Sequence, residues 1–141
     1  MPNARDVMTP DPACCTPRTT LDEVARLMAQ HQCGEIPVIG TSDRVLGVIT
    51  DRDIVCRVVA EGKNPAGHTV ERCMTQPAIT VRVDDPLERV VSIMNKFGIR
   101  RVPVVDELGS CAGIIARPSV ARVAEPLTPA ELMRLAVPLE I

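Results

Sequence analysis

The chain is written twice. Shifted by 66 residues, Met8 falls on Met74, Leu21 on Leu87, Val24 on Val90, Met28 on Met94, Pro37 on Pro103 and Gly47 on Gly113, with no gap between them. That period is too long for a solenoid repeat, and a unit of about fifty residues sits at the lower edge of what folds alone. Two half-sized units are therefore expected to share one core about a pseudo-twofold axis, which creates a cleft with two equivalent pockets. Differences between the copies then carry most of the functional information.

At 141 residues, with 45% hydrophobic and 24% charged side chains, the chain has the make-up of one compact domain large enough to bury a real core. One Phe and no Tyr or Trp leave that core aliphatic and remove the platforms on which single-stranded nucleic acids stack. A net charge of −2 gives no electrostatic footprint for duplex nucleic acid or an anionic membrane. No apolar run approaches the roughly 18 residues of a membrane-spanning helix. The opening residues, with Arg5 and Asp6, lack the apolar stretch of a signal peptide, so a cytoplasmic location is the expectation. There the six cysteines (Cys14, Cys15, Cys33, Cys56, Cys73 and Cys111) stay reduced. They form no CxxC, and none recurs at the 66-residue offset, so no metal is expected. Cys14, Cys15 and His68 come nearest to a ligand set; adjacent Cys14 and Cys15 read as small apolar packing, with redox sensing the alternative.

Thr20 to Gln32 reads as a helix, with Leu21, Val24, Ala25, Leu27 and Met28 at helical spacing and Thr20 with Glu23 as a capping box. Ile36–Ile39 and Val45–Thr50 read as strands around the polar turn 40–44, and Thr50 and Asp51 cap a second helix from Arg52 to Glu61. The second copy repeats the order: a helix from Asp85-Pro86 to about Lys96 with Leu87, Val90, Val91 and Met94 inward, strands Val102–Val105 and Cys111–Ala116, and Pro118 in the first turn of a last helix. Short strands are expected before each first helix, at Ala13–Thr16 and Ala78–Val83, and a linker runs between the copies through Glu61–His68. The whole is α/β, two β-α-β-β-α units in one module spanning 1–141: a first repeat at 6–57, a linker at 58–72, a second repeat at 73–123 and a tail at 124–141. In that tail Thr128-Pro129-Ala130-Glu131 opens a short helix through Ala136.

The string Asp6-Val7-Met8-Thr9-Pro10, then Gly34-Glu35-Ile36-Pro37-Val38, then Leu46-Gly47-Val48-Ile49-Thr50-Asp51-Arg52-Asp53-Ile54, resembles a CBS (cystathionine-β-synthase-type) repeat. Met74-Thr75, Gly98 through Asp106 and Ala112-Gly113-Ile114-Ile115 resemble another. The ordered set, duplicated at a fixed offset over residues 6 to 123, is similar to small stand-alone bacterial CBS pairs (Bateman modules), those of hypoxic-response type included. The resemblance implies tandem units paired through their sheets and clefts that bind AMP, ADP, ATP or S-adenosylmethionine as regulatory ligands, with no cofactor required. In the family's Gly-h-h-Thr/Ser-x-x-Asp pattern the hydroxyl contacts phosphate and the carboxylate the ribose diol; here those positions are Thr50 and Asp53. Arg52 lies between them, and Ile36, Pro37 and Val38 would line the adenine side, mainly through backbone. A carboxylate facing a vicinal diol makes two charge-assisted hydrogen bonds, and a helix start near Asp51 favours a phosphate.

The second copy departs from the pattern. Thr50 becomes Ala116 and Asp53 becomes Ser119, whereas Gly34 and Glu35 become Arg100 and Arg101. The second site is then degenerate or specialised for something else, and the arginines offer bidentate phosphate contacts. Each residue has a plainer reading beside this one. Thr50 and Asp53 serve equally as helix caps, Arg100 and Arg101 as a solvated pair, and His31 as a cation at a helix end. With two histidines, no nucleophile elbow and no phosphate loop, nothing points to catalysis. The expectation is a cytoplasmic sensor acting on an unknown protein effector. It is expected to be a homodimer burying helix faces such as Val90 and Met94, with no nucleic-acid or membrane partner. The rivals are a ligand-free interaction module and a cysteine-based redox or metal sensor.

Overall fold

The computed structural model describes residues 2–123. The tail helix expected from Thr128 to Ala136 lies outside them. Each repeat is organised around one amphipathic helix. Helix α2 (Leu21–His31) buries Leu21, Val24 and Met28, and α4 (Leu87–Phe97) buries Leu87, Val90 and Met94, the same face 66 residues on. Both end in a left-handed residue, Gln32 at φ 52° and Gly98 at φ 63°, the conformation that stops a helix most cleanly. The capping box expected at Thr20 does not form, since the Thr20 side chain makes no cap bond. The first helical N–H, that of Leu21, instead donates to the carbonyl of His68 at 3.0 Å, so a neighbouring segment takes the part of the cap.

The expected hairpins are present. Strands β2 (Glu35–Ile39) and β3 (Val45–Thr50) pair antiparallel, as do β5 (Arg101–Val105) and β6 (Cys111–Ala116), with bulges at Val38/Ile39 and Val104/Val105. The short strands before each helix shrink to a parallel bridge from Cys15 to Val38 and to β4 (Val81–Arg82), which pairs with β5 through Val81 and Val104. The second helix of the first repeat is shorter than expected: α3 (Asp51–Ile54) makes one turn and widens into a π turn over Val55–Val59. Its counterpart α5 (Arg117–Val123) follows β6 directly.

The lead-in segments trade places. After the short helix α1 (Ala4–Val7), β1 (Thr9–Pro10) pairs with β6 of the second repeat, Thr9 opposite Ile114, while Thr75 pairs with Val48 of the first. The bridges Asn3–Pro86 and Thr20–Thr69 repeat the exchange at the same offset. Only Arg44–Ser110 maps onto itself, which puts that pair on the pseudo-twofold axis. The buried side chains accordingly form two clusters rather than the single core expected. One joins Leu21, Ile36, Ile49 and Val58 to Val70 and Cys73; the other joins Val90, Val102, Ile115 and Val120 to Ala4, with Val7 and Met8 against it. Each sheet is covered by its own helices and sealed by the other repeat's lead-in, so neither half completes its core alone.

Gly47 and Gly113 make the exchange possible. A Cβ on Gly47 would lie 2.5 Å from the Thr75 carbonyl oxygen, and one on Gly113 would lie 2.8 Å from that of Thr9. Backbone this close to backbone tolerates no side chain. Val90 and Met94 sit wholly inside the second cluster, which corrects their placement on a dimer face. On α4 the apolar side chains left outward are Val91, expected to face inward, and Phe97. No helix among the described residues is long and apolar enough to cross a membrane.

Candidate functional site

Strand alternation decides which residues of β2 meet the cleft. Ile36 and Val38 are fully buried in the first cluster, so Glu35 and Pro37 take the other face. The Pro37 carbonyl accepts from the Cys15 N–H at 3.0 Å, which leaves that stretch of backbone already paired. Glu35 stands opposite Thr50 in the β2–β3 register, and Arg101 opposite Ala116 in β5–β6. These two cross-strand pairs, equivalent by the repeat, carry different chemistry.

Thr50 and Asp53 form a reciprocal cap on α3. The Asp53 N–H donates to Thr50 Oγ1 at 3.0 Å, and the Thr50 N–H donates to Asp53 Oδ2 at 3.0 Å. The Asp53 carboxylate, only 8% exposed, also accepts from the Thr75 hydroxyl at 3.3 and 3.4 Å. Arg57 Nε lies 3.7 Å from Asp53 Oδ1, and Arg57 Nη1 donates to the Cys73 carbonyl at 2.9 Å. Thus Asp53 ties the start of α3 to the exchanged lead-in. Arg52 is exposed beside it.

A cavity of about 770 Å³ opens where the first repeat's β1 segment and Cys33–Glu35 meet the second repeat's β6. Its apolar wall includes Ala13, Met28, Ile114 and Ala116; its polar lining includes Asp11, His31, Glu35, Asp51 and Arg101. Of the sequence-derived site residues, Arg101 reaches this cavity. Thr50 and Arg100 fall on the side related to it by the pseudo-twofold, because their counterparts Ala116 and Gly34 line the cavity itself, whereas Ser119, the counterpart of Asp53, does not. Thr50 and Asp53 are brought together there by the cap, and Ile36 and Val38 present their side chains to the core.

Glu35 is the buried acid of the cavity. It is 8% exposed, and its Oε2 has no hydrogen-bond partner among the described residues. Burial pushes its carboxyl up to about 7; the Arg101 guanidinium pulls it down, and the Asp53 and Asp51 carboxylates push it up further. Over Gly34, Asp51 Oδ2 and two Arg101 guanidinium nitrogens come within 2.7, 2.8 and 2.9 Å of where a Cβ would stand. Glycine there lets both charged groups close on the backbone. Glu35, Asp51, Asp11 and His31 were not among the site residues read from sequence. The available signal was a charge reversal at the repeat offset, Glu35 against Arg101 and Asp51 against Arg117.

All six cysteines are free, Cys15 and Cys73 buried and Cys56 exposed. The Cys14 and Cys111 side chains interact, which lowers the Cys14 thiol and raises that of Cys111; burial pushes Cys15 up to about 12. Among the described residues no three His, Cys, Asp or Glu side chains group as a metal site.

Comparison with known proteins gives this geometry a context. The family model described as CBS domain matches residues 4–60 and again 70–125. An uncharacterized protein of Methanopyrus kandleri, MK0525, is 37% identical over 119 residues; the match covers 84% of this chain and 58% of that protein. Hypoxic response protein 1 of Mycobacterium tuberculosis is 32% identical over 122 residues, covering 86% and 85% of the two chains. A crystal structure of Hypoxic Response Protein I with two coordinated zinc ions superposes with TM-score 0.80 at 31% identity, over 87% of this chain and 99% of that one. The CBS pair of MJ0100 in complex with 5′-methylthioadenosine and S-adenosyl-L-methionine gives 0.78 at 27% identity, covering 87% and 95%. CBSX2 in complex with AMP gives 0.74 at 26% identity, covering 94% and 98%.

Proposed function

Because this chain belongs to the CBS domain family, with two repeats of that domain, we propose that it is a regulatory, non-catalytic module that binds an adenine-containing ligand in the cleft between its repeats. The observation that carries this reading is the cavity of about 770 Å³ at the repeat junction. Its size lies within the range of small-molecule sites, and it combines an apolar wall with a few convergent charged groups. Two of the structural neighbours hold adenosine compounds, one with S-adenosylmethionine and 5′-methylthioadenosine and one with AMP. The residues assigned to recognition are Glu35, Asp51 and Arg101 in the cavity, and Thr50, Asp53, Arg52 and Arg100 on the related side.

The mechanism is a population shift. Exchanged lead-ins bind each repeat to the other, so a ligand wedged at the junction favours one packing of the halves and changes the surface offered to a protein effector. The cytoplasm is the expected setting. A homodimer is part of the proposal, its contact drawn from the apolar side chains left outward, Val55, Val59 and Phe97.

Isothermal titration of the purified chain with AMP, ADP, ATP and S-adenosylmethionine, alongside sedimentation with and without ligand, tests the reading. Saturable heat from at least one of them supports it; no heat and no thermal stabilisation from any overturns it. The second reading, a ligand-free interaction module, is favoured by one observation: Thr50 and Asp53 already satisfy each other and Thr75.

A further inference from the structure

Resting on the adenine-ligand reading, we infer that the Glu35 cavity selects a nucleoside carrying a positive charge, of the sulfonium class, over one carrying phosphate. The first ground is the buried, unpartnered Oε2 of Glu35. A carboxylate oxygen withdrawn from water with nothing donating to it is unfavourable unless a donor or cation arrives. The cavity is where that partner enters.

The second ground is the sign of the lining. Among the described residues, Asp11, Glu35 and Asp51 face the cavity together with the guanidinium of Arg101 and the imidazole of His31. A phosphate placed among three carboxyl groups meets repulsion that one arginine does not cancel, whereas a cation gains from each of them. Moreover, Ala116 stands where the first repeat has Thr50, so β6 supplies no hydroxyl for a phosphate oxygen.

The third ground comes from the repeat itself. Asp51 N–H donates to the Gly34 carbonyl at 2.9 Å, and Arg117 N–H donates to the Arg100 carbonyl at 2.8 Å. The same backbone frame thus holds Asp51 beside Gly34 in the first repeat and Arg117 beside Arg100 in the second, while Glu35 and Arg101 both line the cavity. The acid at residue 51, replaced by a base at its repeat equivalent, gives the Glu35 cavity its negative sign. The apolar wall of Ala13, Met28, Ile114 and Ala116 suits an adenine ring and a methylated sulfur equally.

The test compares four compounds by isothermal titration on the full chain at pH 7.5: S-adenosylmethionine, S-adenosylhomocysteine (which lacks only the sulfonium methyl and its charge), neutral 5′-methylthioadenosine and AMP. S-adenosylmethionine is expected to bind about tenfold or more tighter than S-adenosylhomocysteine, as loss of a charge-assisted contact predicts, with AMP weaker than 5′-methylthioadenosine. In Glu35→Gln, shown by circular dichroism to be folded, the preference for S-adenosylmethionine over S-adenosylhomocysteine disappears. Equal binding of S-adenosylmethionine and S-adenosylhomocysteine, tighter binding of AMP in the wild type, or a preference that survives Glu35→Gln overturns the inference and leaves the adenine-ligand reading standing. Failure of all four to bind, with ADP and ATP silent as well, overturns both.

Discussion

The Thr75 hydroxyl donates to both carboxylate oxygens of Asp53, at 3.3 and 3.4 Å, across the boundary between the two repeats. Residue 75 opens the second repeat and residue 53 closes the first, so this contact and the β3 bridge at Val48 are two of the points where one half holds the other. A residue that caps a helix and pins an exchanged segment ties a local turn to the packing of both repeats. Any change at Asp53 is felt in both.

Asp53→Ala is therefore expected to lower stability by about 2 kcal/mol, since it removes a cap and leaves the Thr50 N–H and Thr75 hydroxyl without their acceptor. Asp53→Asn, which keeps an acceptor, should cost about half as much. Ser119→Ala, at the equivalent position of the second repeat, should stay within about 0.5 kcal/mol. Urea unfolding followed by far-ultraviolet circular dichroism measures all three. An Asp53→Ala protein as stable as wild type would show that the cap and the Thr75 contact contribute nothing.

The exchange makes an unequal pair of glycine predictions. At Gly47 an added Cβ meets the Thr75 carbonyl oxygen at 2.5 Å, with no flexible group to move. At Gly113 it meets Met8 Sδ at 2.6 Å, which can swing away, and the Thr9 carbonyl oxygen at 2.8 Å. Gly47→Ala should cost about 3 kcal/mol and Gly113→Ala less, near the lower end of the range for overpacking, about 1 kcal/mol. Equal losses at the two sites would mean that Met8 is as rigid as backbone.

Much of this architecture was legible because a duplicated sequence states its own equivalences. Leu21, Val24 and Met28 with their mates 66 residues on gave the helix faces, and the apolar runs around Pro37 and Pro103 gave the hairpins. The exchange was not legible. Periodicity reports which face of an element is apolar, not whose sheet it covers, so Ala4, Val70 and Cys73 gave no sign of crossing over. The same limit put Val90 and Met94 on a dimer surface when their own sheet buries them. At the site, Arg101 stood out as a new charge in the second copy. Glu35 escaped notice because an acid at the head of a strand reads as solvent-facing until the partner repeat is packed over it.

The thiols should separate by environment. Thiolates, not thiols, react with alkylating reagents, and the interaction with Cys111 lowers the Cys14 thiol while burial raises Cys15 to about 12 and raises Cys33 as well. In the native protein Cys14 and exposed Cys56 are expected to be alkylated first, and Cys15 and Cys111 last. Timed iodoacetamide labelling with peptide mass spectrometry reads the order directly. Early modification of Cys15 would mean that the bridge to Val38 opens readily.

Glu35 makes the stability of this fold depend on pH in a direction opposite to that of most paired carboxylates. Its pKa rises from 4.5 to about 7 on folding, so between those values the native state holds a proton that the unfolded state has released. Stability is then highest below about pH 4.5 as far as this group is concerned, falls as pH rises towards 7, and levels off above it. Arg101 opposes the shift and Asp51 and Asp53 reinforce it, so the three must stay in place for the comparison. The full span corresponds to roughly 3 kcal/mol at 1.36 kcal/mol per pKa unit. Glu35→Gln removes the ionisation without changing size, and its stability relative to wild type should grow from pH 5 to pH 8. Parallel urea titrations at those two pH values give the difference, and identical curves for the two proteins at pH 8 would place the Glu35 carboxylate in contact with water or a cation rather than alone in the cavity.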